Sequence, residues 1–169
     1  MIRSFLTQYP ILSNEIITPV VMFIDNSKTK EEVIKNTTSL QIDNNNRFTA
    51  LWDTGAGCSC VKPSVLEKLK LEEKDIITYR EVTGVNSQAQ QKPVYRINLI
   101  LPNNVIFPQW NFVESDIATK ADILIGMDII SQGNFIIDNS NNTTKFSFSM
   151  PPQQIFNFNT TFNNTINNE

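Results

Sequence analysis

Phe48-Thr49-Ala50-Leu51-Trp52-Asp53-Thr54-Gly55-Ala56-Gly57-Cys58-Ser59-Cys60-Val61 is the stretch on which the reading of this chain turns. The residues before the aspartate are mostly apolar and suit a strand, and Cys58 to Val61 resumes as a second short strand. Between them Asp53-Thr54-Gly55 is by itself a good turn, and a turn-capping aspartate is the plain reading of it. A carboxylate set between two apolar β segments is nevertheless costly unless it is paired or used. Asp53 is therefore the first candidate for chemistry.

Composition limits what that chemistry can be. The chain has 169 residues, 40% hydrophobic and 18% charged, with a net charge of −3, which fits one ordinary globular domain. It contains no histidine. Nucleophile pairs that need an imidazole base are excluded, and so are His-rich zinc sites. A hydrolase built from these residues must run on carboxylates, lysine or a carboxylate-held metal. There is no basic excess to neutralise phosphates, so no nucleic-acid partner is expected. No apolar run approaches the roughly 20 residues of a membrane helix, so no membrane partner is expected either. Met1 to Pro10 lacks the apolar core of a signal peptide, which makes a cytoplasmic location the default expectation. Cys58 and Cys60, two apart on a strand, are expected to pack on one face as small apolar groups rather than as a redox pair.

Outward from the central stretch, Ile16 to Ile24 reads as a strand, or two short strands broken at Pro19. Asn26 to Asn36 reads as a polar surface loop. Ser39 to Asp43 and Arg47 to Trp52 read as a hairpin turning at Asn44-Asn45-Asn46. Pro63 to Leu71 has helical spacing with proline in the first turn and Glu67 three residues after Ser64. Ile76 to Val85 and Pro93 to Leu101 are expected to be strands around a polar tip at Asn86 to Gln91. Val105 to Val113 and Asp122 to Ile125 follow as strands, and Met127 to Gln132 as one or two helical turns stopped by Gly133. Phe135 to Asp138 and Lys145 to Met150 form a last hairpin. The division expected is an N-terminal segment 1–38 within or leading into the domain, a domain 39–150, and a largely disordered tail 151–169 rich in Asn and Gln with scattered Phe. Many short strands with turns between them predict a mostly-β barrel or sandwich.

A second motif gives Asp53 a context. Ile123-Leu124-Ile125-Gly126 is an apolar strand ending in glycine, followed by the helical start Met127-Asp128-Ile129-Ile130. Leu51 to Ala56, a hairpin around Gly84 to Gln91, and Ile123 to Asp128, in that order, resemble the retropepsin family of aspartic proteases, and in particular its single-domain cellular members, over residues 39–150. The resemblance implies an acid-protease barrel with a flap hairpin and one or two short helices, acting as a homodimeric aspartic endopeptidase. It implies Asp53, Thr54 and Gly55 as catalytic residues. It also implies a peptide or protein substrate held by Ala56, Gly57, the flap residues Gly84, Val85 and Asn86, and Ile125 and Gly126. No cofactor and no metal is implied. In the family two aspartates about 3 Å apart share one proton, and together they activate a water that attacks the scissile carbonyl. One Asp-Thr-Gly triplet and no internal repeat then require two copies of the chain around a two-fold axis, with Thr54 bonding across it.

The sequence departs from retroviral members at Gly57 and Met127, where they carry an acidic residue and an arginine that brace the dimer. A dimer of this chain must be braced otherwise. The alternative to an enzyme is a catalytically silent peptide-binding or dimerisation module of the same fold. Trp52 and Trp110 are expected in the core or an interface, Asp128 as a cap or partner at the short helix, and Asp122 as a solvated strand end.

Overall fold

The computed structural model describes residues 2–25, 29–37, 41–83, 88–102 and 104–153. Among these, β2 (Ile17–Phe23) is a single strand that runs through Pro19. Its buried residues Thr18, Val20 and Met22 alternate along it, and Pro19 is exposed where β2 has not yet met its second neighbour. A proline is tolerated there because it withholds no ladder hydrogen bond. β2 pairs antiparallel with β3 (Arg47–Trp52), Pro19 facing Thr49. This corrects the expected hairpin between Ser39–Asp43 and Arg47–Trp52. Residues 41–43 form no strand, and 38–40 lie outside the described residues. Asp43 instead closes a tight turn, its Oδ1 accepting from Asn45 N at 2.8 Å, and Asn46 pairs with Met22 through backbone and side chain.

The loop expected over 26–36 is also corrected, because α1 (Lys30–Asn36) occupies most of it. Thr29 and Glu32 form a capping box that satisfies two otherwise orphaned N–H groups. Val33, fully buried, anchors the helix on Phe23 and Ile100.

The rest of the order is β4 (Cys60–Val61), α2 (Pro63–Lys68), β5 (Ile76–Val82), β6 (Gln90–Ile100), β7 (Ile106–Glu114), β8 (Ile123–Ile125), α3 (Met127–Ile130), β9 (Asn134–Asp138) and β10 (Thr144–Met150), with β1 (Arg3–Tyr9) at the start. Seven strands form one sheet in the order β2-β3-β8-β4-β7-β6-β5, and an extra β2–β6 pairing curls it into a barrel. β1, β10 and β9 form a second, three-stranded sheet, in which Arg3 pairs with Met150 and Tyr9 with Thr144. No helix among the described residues is long and apolar enough to cross a membrane.

Trp52 joins the two sheets. Its ring lies 4.9 Å from that of Phe148, 5.0 Å from Phe146, 6.0 Å from Phe135 and 6.1 Å from Phe5, in tilted arrangements that aromatic quadrupoles favour. Its indole N–H donates to Thr18 Oγ1 at 2.9 Å, so neither buried polar group is left unsatisfied. The Tyr9 hydroxyl makes a second tie, donating to Ile17 O at 2.7 Å and accepting from Ile17 N at 2.9 Å. The residue before Asp53 is thus fixed from both sheets.

β5 and β6 make a long antiparallel hairpin from Ile76↔Tyr95 to Val82↔Gln90. Gln90 and Gln91, expected in the tip, belong to the strand, because their side chains stand clear of the core while their backbones complete the ladder. Gly84, Val85 and Asn86 lie outside the described residues, as does the tail beyond 153.

Candidate active site

Parallel pairing of β3 with β8 sets Trp52 opposite Ile125, bringing together two motifs that are remote in sequence. Asp53 N–H donates to Ile125 O at 2.9 Å, and Met127 N–H donates to Ala56 O at 2.8 Å. The turn after β3 is therefore stitched at both ends to the turn after β8. Gly126 permits this contact. A Cβ there would stand 2.6 Å from the carbonyl carbon of Cys58 and 2.9 Å from Ala56 O. Backbone atoms cannot move aside as a side-chain end could, so only glycine fits.

Asp53 is half-buried, with Thr54, Gly55 and Gly57 exposed beside it and Ala56 half-buried. Its Oδ1 accepts from Gly55 N at 2.8 Å, and no other hydrogen bond reaches its carboxylate among the described residues. A Cβ on Gly55 would be 3.1 Å from that oxygen, so the glycine leaves the carboxylate room to fold over its own turn. At Gly57 a Cβ would meet nothing within 4 Å, and sterics do not require glycine there. Of the residues expected to form the site, Asp53, Thr54, Gly55, Ala56, Gly57, Ile125 and Gly126 come together around one surface turn.

Behind the turn lies a polar network that the sequence did not make obvious. Ser59, fully buried, donates to Asp128 Oδ1 at 2.7 Å and accepts from Gly126 N at 3.1 Å. Asp128 also accepts from Ile129 N at 3.0 Å and, on Oδ2, from Trp110 Nε1 at 3.1 Å. Asp128, in the first turn of the short helix whose N-cap is Gly126, ties both turns and β7 together. The signal for Ser59 was its alternation: set between two cysteines on a strand, it must face the opposite side, where only a polar partner makes it tolerable. Asp122 is similarly engaged rather than solvated. Its Oδ2 accepts from Thr49 N and Thr49 Oγ1, each at 2.9 Å.

Cys58 and Cys60 face the other way, into a cluster with Val82, Val94, Val113 and Leu124. A hydrogen bond from Cys60 holds the Cys58 thiol down to about 7. Burial and the Asp128 charge oppose that shift, and Arg80 assists it. The same hydrogen bond, and burial, push Cys60 up.

Residues 38–132 match a family model described as gag-polyprotein putative aspartyl protease. The fold is similar to the crystal structure of a retropepsin-like aspartic protease from Rickettsia conorii, with a TM-score of 0.53 and 12% identity over 88% of this chain and 96% of that one. It is also similar to the EIAV protease complexed with the inhibitor HBY-793, with a TM-score of 0.43 and 16% identity over 73% of this chain and 90% of that one. No curated protein sequence matches the chain.

Proposed function

The chain belongs to the gag-polyprotein putative aspartyl protease family and has the mostly-β, retropepsin-like fold, and on that premise we propose that it is an aspartic endopeptidase whose catalytic group is Asp53. The observation that carries this reading is the Asp53 carboxylate itself. It sits half-exposed on a turn clamped by Ile125 O, Gly126 and Met127 N, with one donor on Oδ1 and none on Oδ2 among the described residues. A rigid turn with a free carboxylate oxygen suits a proton acceptor for water.

One such turn per chain supplies half a dyad. In the proposed mechanism two chains meet with their Asp53 carboxylates side by side, sharing one proton because two adjacent charges are mutually destabilising. The ionised carboxylate takes a proton from a water between them, and that water attacks the scissile carbonyl. The protonated carboxylate hydrogen-bonds the carbonyl oxygen as charge develops on it. Thr54, exposed at the end of the turn, is assigned to contact between the two turns. Ala56, Gly57, Ile125 and Gly126 are assigned to the peptide backbone, with Gly84, Val85 and Asn86 of the hairpin tip closing over it. A cytoplasmic location belongs to the same proposal and is supported by the two unpaired thiols, as expected in a reducing compartment.

The test is incubation of the purified chain and its Asp53→Asn variant with a peptide pool from about pH 4 to about pH 7. Cleavage by the parent alone is expected. No cleavage by either would leave the silent peptide-binding module as the function, and cleavage surviving in Asp53→Asn would move the active site elsewhere.

A further inference from the structure

Resting on the reading above, the hairpin of β5 and β6 carries a feature that bears on which peptides the site would take. Arg80 on β5 and Lys92 on β6 stand directly opposite each other. Like charges in that register are destabilising in an isolated sheet. Four residues further along β6, on the same face, is Arg96. Arg80 and Arg96 line a cleft of about 570 Å³ together with Lys30, Gln109, Trp110 and Asp128. Among the described residues no ion pair of Lys30, Arg80, Lys92 or Arg96 is found. The one carboxylate on the cleft wall, Asp128, is already committed to Ser59, Trp110 and its own helix. Three cations are therefore gathered in a concave place against one carboxylate, Asp128, among the residues that line it, in a chain whose net charge is −3.

This cleft is linked to the segment that follows the Asp53 turn. Arg80 is near enough to Cys58, five residues after Asp53, for its charge to act on the thiol. Val82, on the same face of β5 as Arg80, packs against the cluster that includes Cys58 and Cys60. Asp128, on the cleft wall, holds Ser59 of the same segment.

We propose that the cleft lined by Lys30, Arg80 and Arg96 is a substrate subsite that selects peptides bearing an Asp or Glu side chain to one side of the scissile bond. Guanidinium groups hold carboxylates through paired N–H donors, and a concave site strengthens the attraction over that at a flat surface. A peptide extended along the hairpin presents alternate side chains to its face, which brings one acidic residue over Arg80 and Arg96. The acidic peptide is favoured over nucleic acid because the cations form one compact group rather than a stripe that could follow a phosphate backbone.

The test uses the full chain with Asp53→Asn and a randomised peptide pool, with sequencing of the bound fraction. Enrichment of Asp and Glu at one or two positions is expected. A peptide taken from that fraction is then compared with its Glu→Gln form by fluorescence anisotropy. Arg80→Gln with Arg96→Gln is expected to weaken the acidic form by about ten-fold and to leave the amide form unchanged. Lys70→Gln, a loss of positive charge away from the cleft, is expected to change neither. Binding of the acidic form should weaken with added salt. No acidic enrichment, equal affinity for the two forms, equal loss in Lys70→Gln, or tighter cleft-dependent binding of a single-stranded oligonucleotide would each overturn the proposal. Cleavage of the pool by the parent without acidic preference would sink the subsite and keep the protease. Acid-selective binding without cleavage would keep the subsite and sink the protease.

Discussion

A methyl group at position 126 would meet the carbonyl carbon of Cys58 at 2.6 Å and its oxygen at 2.7 Å. Gly126→Ala is therefore expected to lower unfolding free energy by about 2–4 kcal/mol, read from the midpoint of a urea titration, because the atoms it strikes are backbone. The equivalent change at Gly57, where a Cβ meets nothing, is expected to leave stability unaltered. The cysteine pair gives a pH-dependent readout. With the Cys58 thiol held down to about 7 by Cys60, its thiolate is the form present above that pH. Alkylation of Cys58 by iodoacetamide, followed by mass spectrometry, should rise as pH passes through about 7 and then level off, while Cys60, pushed up, stays unlabelled in the folded chain. Arg80→Gln removes a cation that favours the thiolate, so the Cys58 midpoint should move to higher pH.

At the scale of elements, two local devices hold pieces that periodicity alone would not place. Thr29 caps α1 and Glu32 answers it, so Thr29→Ala should cost about 1 kcal/mol in thermal or chemical unfolding. The capping signature Thr29-x-x-Glu32 was present in the sequence. It was outweighed by the charge and polarity of 26–36, and only Val33 offered an apolar anchor for so short a helix. α3 depends on Asp128, which serves Ser59, Trp110 and Ile129 together. Asp128→Ala strands the buried Ser59 hydroxyl and the Trp110 N–H, with an expected loss of about 1–3 kcal/mol measured by unfolding. The hairpin at Ser39–Asp43 failed for a related reason. β-like composition there had no partner, because β2 arrives from 30 residues earlier in the fold's order to take the open side of β3.

For the whole molecule, the proposed dyad makes activity a property of two chains. Specific activity should fall on dilution, and a molar excess of Asp53→Asn chain should inhibit the parent by trapping it in pairs with one carboxylate, both followed with a fluorogenic peptide. A strict monomer by size-exclusion at high concentration would remove the dyad. The acidic-subsite selection belongs to this scale as well, since Lys30 comes from α1 and the arginines from β5 and β6.

Read alone, the sequence excluded imidazole-based chemistry, because histidine is missing, and left carboxylates, lysine or a carboxylate-held metal; it also placed Asp53 and the Ile123–Asp128 motif in one family pattern. It determined the mostly-β class and most strands, since β-branched and apolar alternation is local information. Only the tertiary structure decided that β2 rather than 39–43 flanks β3, that Gly126 is a point of backbone contact with the Asp53 turn, and that Ser59, Trp110 and Asp128 form one network. It also gathered Lys30, Arg80 and Arg96 around one cleft. Each of these depends on which strands become neighbours, and strand pairing is set by the summed burial of the whole core rather than by any segment read alone.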